Sequence, residues 1–137
     1  MQANPTRQLA CIIDDDLIYT NLIKKIIEKN NLCNEFLIFN NGKQSIDYLE
    51  SSLVNSEEHI PEIIFLDLNM PIMDGWEFLE RFNKIKSKIK KKICLYVVSS
   101  SINPVDIKRA KSSPTVQDYI SKPLNLNKLE NILKKCG

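Results

Sequence analysis

Short apolar runs alternate along this chain with longer segments in which apolar residues recur at helical spacing. Five of the runs have the length and the β-branched or aromatic content of strands. They are residues 9–13, 35–39, 63–66, 93–98 and 116–120. Each run is followed by a segment of helical pattern, so the chain reads as five consecutive strand-helix units.

The helical segments are predicted from apolar periodicity and from their end signals. Residues 17–30 carry five apolar residues expected on one buried face: Ile18, Leu22, Ile23, Ile26 and Ile27. Similar patterns predict helices over 42–52 and 76–88, and a final helix from residue 126. Asn103 followed by Pro104 supplies a cap and a first-turn proline for another short helix.

Strict alternation of strands and helices predicts an α/β fold, a doubly wound parallel sheet with helices on both faces. We expect one domain over residues 1–137, with its core at about 8–136, because no repeat or linker interrupts the pattern. The chain ends a few residues after the last helix, so no output domain is expected. The polar stretch 51–62 is longer than a usual connection.

Composition narrows the functional classes. The chain is 43% hydrophobic and 26% charged, and its formal charge of +2 is too small to indicate nucleic-acid binding. No apolar run approaches membrane-spanning length and no hydrophobic leader opens the chain, so we expect a cytoplasmic protein without a membrane partner. Cys11 and Cys94 lie inside apolar runs and are expected as buried reduced thiols. His59 and the lysines of 84–92 are expected at the surface, the lysines alternatively as a partner-binding patch.

Polar groups of complementary chemistry follow four of the five predicted strands. They are the acids Asp14, Asp15 and Asp16, the acid Asp67, the hydroxyls of 99–101, and Lys122 followed by Pro123. The carboxyl ends of parallel strands meet at one edge of the sheet, where ligands of open α/β sheets bind. Taken singly, Asp16 reads as a helix cap, Ser99 as part of a turn and Lys122 as a solvated lysine. Taken together, they predict one site.

Adjacent carboxylates repel one another unless a cation joins them, and oxygen ligands with open positions suit Mg²⁺. We therefore predict that Asp14, Asp15 and Asp67 hold a divalent cation together with one backbone carbonyl. The cation keeps Asp67 anionic and neutralises an incoming phosphoryl group, so that Asp67 attacks phosphorus in line and becomes an acyl phosphate. Lys122 and the Ser99 hydroxyl are predicted to hold phosphoryl oxygens.

These motifs closely resemble the receiver domain of two-component response regulators. The resemblance covers nearly the whole chain, from IIDDD at 12–16 through LDLNMPIMDG at 66–75 to VVSS at 97–100 and YISKP at 119–123. It implies a flavodoxin-like (βα)5 fold with strand order 2-1-3-4-5. It also implies Mg²⁺, with Mn²⁺ possible, and a phosphoryl group that comes from a histidine kinase or a histidine phosphotransfer protein.

The resemblance also implies individual roles. Asp67 is the phosphoacceptor, the backbone carbonyl of Asn69 is a metal ligand, and Lys122 is the phosphoryl clamp with a cis peptide bond before Pro123. Ser99 and Tyr119 are a switch pair, in which phosphorylation draws Ser99 inward and the Tyr119 ring turns into the vacated space. The alternative for Tyr119 is an ordinary half-buried strand aromatic. Pro71 and Gly75 shape the loop that follows Asp67.

The function that these expectations favour is a phosphorylatable signalling switch, monomeric or weakly dimeric, that acts on a downstream protein or passes the phosphoryl group on. It catalyses only its own phosphorylation and dephosphorylation. One alternative is an aspartate-nucleophile phosphatase, but such enzymes want a second aspartate at the position of Asn69. The other is a receiver-like interaction module that is never phosphorylated, although such modules usually lack one of the key residues.

Overall fold

The computed structural model describes residues 8–136, and within them the chain forms alternating strands and helices. The strands are β1 (Leu9–Ile13), β2 (Glu35–Phe39), β3 (Ile63–Leu66), β4 (Cys94–Ser99) and β5 (Val116–Ser121). The helices are α1 (Leu17–Lys29), α2 (Gly42–Asn55), α3 (Gly75–Lys86), α4 (Pro104–Ser112) and α5 (Leu126–Cys136). A short 3-10 helix, Glu57–His59, lies between α2 and β3.

The five strands form one parallel sheet in the order β2-β1-β3-β4-β5. The predicted α/β architecture and strand order are therefore confirmed. The central strands lie in a register that pairs Ile13 with Leu66 and Leu66 with Val97. Because the strands run in one direction, the residues that follow β1, β3, β4 and β5 all reach the same edge of the sheet.

Each face of the sheet is covered by a separate apolar cluster. Successive side chains of a strand point to opposite faces. Ile64 of β3 accordingly packs in one cluster with Phe78 of α3, whereas Phe65 packs in the other with Ile23 of α1 and Leu129 of α5. Burial of one such side chain contributes about 1.5 to 3 kcal/mol, so the two layers fix the strand ends on which the polar groups stand.

The buried face of α1 differs from the predicted one. Thr20, Ile23 and Ile27 are buried, whereas Ile18 is 85% exposed and Leu22 is 53% exposed. Residues 20, 23 and 27 form one stripe at helical spacing, and residues 18 and 22 lie on the opposite side of the helix. The apolar pattern located the helix correctly, but the prediction that the Ile18 and Leu22 side chains are buried was wrong. Apolar residues extend around more of this helix than the sheet can cover.

Most predicted boundaries differ from the observed ones by one or two residues, and the largest difference is at α2. This helix continues to Asn55, and the 3-10 helix follows after one residue, so most of the polar stretch 51–62 has regular structure. The Tyr48 hydroxyl donates to the His59 carbonyl oxygen at 2.7 Å and ties the end of this stretch back to α2. The end of this helix is mostly polar and exposed, so the apolar period is weak there. The predicted helix therefore ended too early.

The structure shows the burial of the histidine, lysine and cysteine side chains for which the sequence led to an expectation. His59 is largely exposed, as expected. The lysines of 84–92 lie on the end of α3 and the following loop, and they are exposed apart from the partly buried Lys91. Cys11 is a buried free thiol, but Cys94 is disulfide-bonded, so the expectation of a reduced thiol is wrong there. Within residues 8–136, no helix combines the length and the apolar character that crossing a membrane requires.

Candidate functional site

Two carboxylates stand at the ends of the two central strands. The backbone N–H of Asp14 donates to the Phe39 carbonyl at 3.0 Å, and that of Asp67 donates to the Ile13 carbonyl at 2.9 Å. These bonds continue the β-ladder one residue past each strand and fix both acids at the same edge. Asp14 is 1% exposed and Asp67 is 7% exposed, whereas Asp15 is exposed. The predicted acid cluster is therefore largely buried, with one open side.

Lys122 lies against the acid cluster from β5. Its Nζ atom is 2.7 Å from Asp14 Oδ2 and 3.7 Å from Asp67 Oδ2. The backbone N–H of Lys122 donates to the Ser99 carbonyl at 3.0 Å, which fixes the start of the β5–α5 loop beside the end of β4. The peptide bond between Lys122 and Pro123 is cis. The Lys122 ammonium group thus lies beside both buried carboxylates.

Burial raises the pKa of the Asp67 carboxyl from 3.8 to about 6, and the charge of Asp14 acts in the same direction. The Lys122 ammonium and the N–H of Leu68, which donates to Asp67 Oδ1 at 2.9 Å, act in the opposite direction. Burial and a like charge both disfavour an ionised carboxyl. The Lys122 ammonium group therefore offsets only part of the repulsion within the cluster.

The donor set of the cluster fits a hard divalent cation. Asp14, Asp15 and Asp67 can each offer one oxygen such that the three atoms lie within 4.8 Å of one another. Carboxylate oxygens in this number suit Mg²⁺ or Mn²⁺, which also retain water ligands. Asn69, the expected source of a carbonyl ligand, lies two residues after Asp67 in an exposed part of the loop.

The loop between β3 and α3 is closely packed against the backbone of Asp67. The N–H of Gly75 donates to the Leu68 carbonyl at 2.8 Å, and a Cβ atom at residue 75 would lie 2.8 Å from the Leu68 Cα and closer still to the Asp67 carbonyl oxygen. Only glycine fits this approach. Pro71 accepts a hydrogen bond from the Met73 N–H at 2.8 Å across a single residue.

Ile72, the residue spanned by that bond, has a φ of 69° and is 75% exposed. A positive φ is unfavourable for a β-branched residue. The backbone of the loop that carries the phosphoacceptor candidate is therefore locally strained.

Ser99 and Tyr119 are connected through Ser101. Ser99 is fully buried at the end of β4, and its Oγ atom accepts a hydrogen bond from the Ser101 N–H at 3.1 Å. The Tyr119 hydroxyl donates to the Ser101 carbonyl at 2.6 Å, and the Ser101 hydroxyl donates to Asp106 of α4 at 2.9 Å. Tyr119 is 9% exposed, so the residue is buried in this structure.

Two features of the site were not predicted from the sequence. Ser101 was noted only as one of three serines, but it connects the end of β4, β5 and α4. Tyr19, on the first turn of α1, places its ring 4.6 Å from the Lys122 Nζ atom. Burial, with a smaller effect of the neighbouring acids, raises the pKa of the Tyr19 phenol to about 12, so the ring carries no charge near neutral pH. The alternation of polar and apolar residues gives no signal for either contact.

A family model described as the response regulator receiver domain matches residues 10–134. The chain belongs to this family. Receiver domains accept phosphoryl groups from histidine kinases and bind Mg²⁺ or Mn²⁺ at an acidic pocket, and they are generally not turnover enzymes. The resemblance drawn from the sequence motifs is thereby confirmed.

Proteins of different length contain a segment similar to this chain. The chain is 26% identical over 124 residues to the probable methanogenesis regulatory protein FilR2 of Methanothrix harundinacea, which covers 90% of this chain and 77% of that protein. It is 26% identical over 135 residues to the sensor histidine kinase CheAY of Helicobacter pylori, covering 96% of this chain but only 15% of the kinase.

Solved receiver structures have the same fold. A two-component response regulator from Cytophaga hutchinsonii superposes with a TM-score of 0.84 at 32% identity, over 96% of this chain and 98% of that one. The Mn²⁺-bound form of response regulator Rcp1 superposes with a TM-score of 0.72 at 23% identity, over 93% of this chain and 90% of that one. At this lower identity the likeness to Rcp1 shows the fold alone.

Proposed function

We propose that this receiver domain is a metal-dependent phosphoryl acceptor that is modified on Asp67. The observation that carries the proposal is the convergence of three carboxylates, with oxygens within 4.8 Å of one another, beside the Lys122 ammonium group. Burial and the charge of Asp14 both disfavour the ionised form of Asp67, so a bound cation would favour it.

Asp14, Asp15 and Asp67 would hold Mg²⁺ or Mn²⁺, together with the backbone carbonyl of Asn69. When bound, the cation supplies charge neutralisation for the carboxylates and for the phosphoryl oxygens. The Mn²⁺-bound form of Rcp1 shows that a protein with this fold can hold such an ion.

In the transfer step an ionised oxygen of Asp67 forms a bond to phosphorus while the bond from phosphorus to the donor histidine nitrogen breaks. The electron pair of the broken bond stays on the imidazole. Lys122, already 3.7 Å from Asp67 Oδ2, pairs with one phosphoryl oxygen, and the Ser99 hydroxyl donates to another. Because the attacking carboxylate is ionised, no general base is needed.

The switch would begin at Ser99. The Ser99 hydroxyl accepts a hydrogen bond from the Ser101 N–H, so its movement towards a phosphoryl oxygen would also move the Ser101 backbone. Because the Ser101 carbonyl accepts a hydrogen bond from the Tyr119 hydroxyl, Tyr119 would respond to the same movement. The bond from Ser101 to Asp106 extends the same change to α4. We infer that the face formed by α4, β5 and α5 is the surface whose contacts respond to phosphorylation.

The donor would be a phosphohistidine on a histidine kinase or a histidine phosphotransfer protein. The output would be contact with another protein, or relay of the phosphoryl group to another histidine, within the cytoplasm and without nucleic acid. We propose a monomer or a weak dimer, because no larger assembly is needed for this chemistry. The enzyme-like step is limited to the chain's own modification.

Incubation with acetyl phosphate and Mg²⁺, followed by intact-protein mass spectrometry, tests the phosphoacceptor assignment. We expect an alkali-labile phosphoryl adduct that EDTA prevents and that Asp67→Ala abolishes. Asp47→Ala is the matched control, because the Asp47 carboxylate is exposed and pairs with the neighbouring Lys43 on α2. An adduct that persists in Asp67→Ala would overturn the assignment.

A further inference from the structure

Asp16 and Tyr19 form, with Asp14 and Lys122, a closed ring of contacts beside the acid cluster. The N–H of Asp16 donates to Asp14 Oδ1 at 2.9 Å, and Asp16 Oδ1 in turn accepts from the Tyr19 N–H at 3.0 Å as the N-cap of α1. The Tyr19 ring contacts the Lys122 ammonium group, which in turn forms an ion pair with Asp14 Oδ2 at 2.7 Å. The third acid of the run thus has a specific place: it orients the helix turn that carries the ring.

A second contact joins the same tyrosine to the loop after Lys122. The N–H of Leu124 donates to the Tyr19 hydroxyl at 3.4 Å, a long bond but one that spans 105 residues of sequence. Leu124 is buried, and the Tyr19 ring packs against the apolar cluster that contains it. The tyrosine therefore touches both the Lys122 side chain and the backbone two residues further on.

A lysine side chain has four rotatable bonds, and the geometry of its ammonium group is rarely fixed by a single ion pair. The face of an aromatic ring attracts an ammonium group within about 6 Å, and the attraction grows when the pair is partly desolvated. The Lys122 side chain is 16% exposed and its Nζ atom is 4.6 Å from the ring centre. The ring limits the positions that the ammonium can occupy to those within reach of both Asp14 and Asp67.

We propose that Tyr19 is a positioning residue for phosphoryl transfer, one that acts through Lys122 by holding its ammonium group over the aromatic ring. This inference rests on the proposed function, since the ammonium is the group that pairs with the transferred phosphoryl oxygen. The aromatic face carries the effect, and the hydroxyl contributes through the Leu124 contact only to the placement of the loop.

The contact itself can be tested without any phosphoryl donor. Protons on the Cε atom of Lys122 lie near the ring face and should show an upfield ring-current shift in the NMR spectrum. The shift is expected to remain in Tyr19→Phe and to disappear in Tyr19→Leu. Unshifted protons in the unmodified protein would refute the contact.

The consequence is tested by the rate of adduct formation with acetyl phosphate at saturating Mg²⁺. Tyr19→Leu should react roughly three- to tenfold more slowly, whereas Tyr19→Phe should stay within about twofold of the unmodified protein. Ile18→Ala is the control on the same helix, because the Ile18 side chain is 85% exposed. Thermal unfolding of each variant separates lost folding from lost positioning.

A Tyr19→Leu protein that is folded and reacts at the unmodified rate would overturn the proposal. So would a Tyr19→Phe protein as slow as Tyr19→Leu, since the ring would then not carry the effect. If the unmodified protein forms no adduct, the proposed function fails, while the NMR shift still decides whether the ring holds the lysine.

Discussion

Replacing Asp67 with asparagine should stabilise the folded chain at alkaline pH in the absence of metal. A carboxyl whose pKa is higher in the folded state than in the unfolded state binds its proton more tightly when folded. Its contribution to stability is fully present below the unfolded pKa of 3.8 and is lost as the pH rises through the folded pKa of about 6. Asparagine cannot ionise and so avoids this loss at every pH.

The magnitude follows from the two pKa values. At 1.36 kcal/mol for each unit of pKa, the ionised Asp67 lowers the free energy of unfolding by about 3 kcal/mol at pH 8. Solvent at the open side of the cluster screens the charges and reduces this to about 1 to 3 kcal/mol. At pH 4, where the carboxyl is largely protonated in the folded state, linkage leaves only about 0.5 kcal/mol. Asparagine can keep the hydrogen bond from the Leu68 N–H, and Lys122 remains paired with Asp14.

Urea unfolding in EDTA, followed by the fluorescence of Trp76, measures this difference at pH 8 and at pH 4. We expect a gain for Asp67→Asn at pH 8 that nearly vanishes at pH 4. Asp47→Asn is the matched control; it removes an exposed carboxylate and should change the free energy of unfolding by less than about 0.5 kcal/mol at either pH. Adding Mg²⁺ should stabilise the unmodified protein and reduce the gap. Equal gains at both pH values, or a loss at pH 8, would refute the electrostatic argument.

Three further substitutions test separate parts of the site. Ile72→Asn should raise the free energy of unfolding by about 0.5 to 1 kcal/mol in urea unfolding, because asparagine tolerates a positive φ better; a decrease would contradict the strain. Gly75→Ala should lower the free energy of unfolding by about 2 kcal/mol or more, since the new Cβ would lie 2.8 Å from the Leu68 Cα. An unchanged midpoint of urea unfolding would contradict that packing. Lys122→Met should slow adduct formation and yet tighten Mg²⁺ binding roughly three- to tenfold in calorimetry, because a cation that repels the metal is removed. Weaker Mg²⁺ binding would show that the lysine does not compete for the acids.

The strands and the acidic edge could be predicted because their signals are local in sequence. A short apolar run that ends in an acid, as at 63–67, specifies both the strand and the residue at its end. Parallel order then brings the ends together without any further information about side chains. For the same reason Asp14, Asp67 and Lys122 were predicted to meet, and the structure places them in contact.

Contacts between residues distant in sequence could not be predicted in the same way. The ring of Tyr19 meets Lys122 only because α1 and the β5–α5 loop pack side by side, and no periodicity in either segment encodes that pairing. The exposed side of α1 was missed for a related reason. Ile18 and Leu22 have the hydropathy of buried residues, and only the packing of the helix on the sheet decides which apolar stripe is covered.

Ser101 connects the end of β4, which lies at the acidic site, with β5 and α4. Its N–H contacts the buried hydroxyl of Ser99, its carbonyl contacts Tyr119, and its side chain contacts Asp106. A small movement at the end of β4 therefore changes hydrogen bonds to β5 and α4 together, whereas the β-ladder behind it, buried on both faces, resists deformation. Because the packed core resists such a movement, we expect a change of charge at Asp67 to be transmitted towards the surface through Ser101.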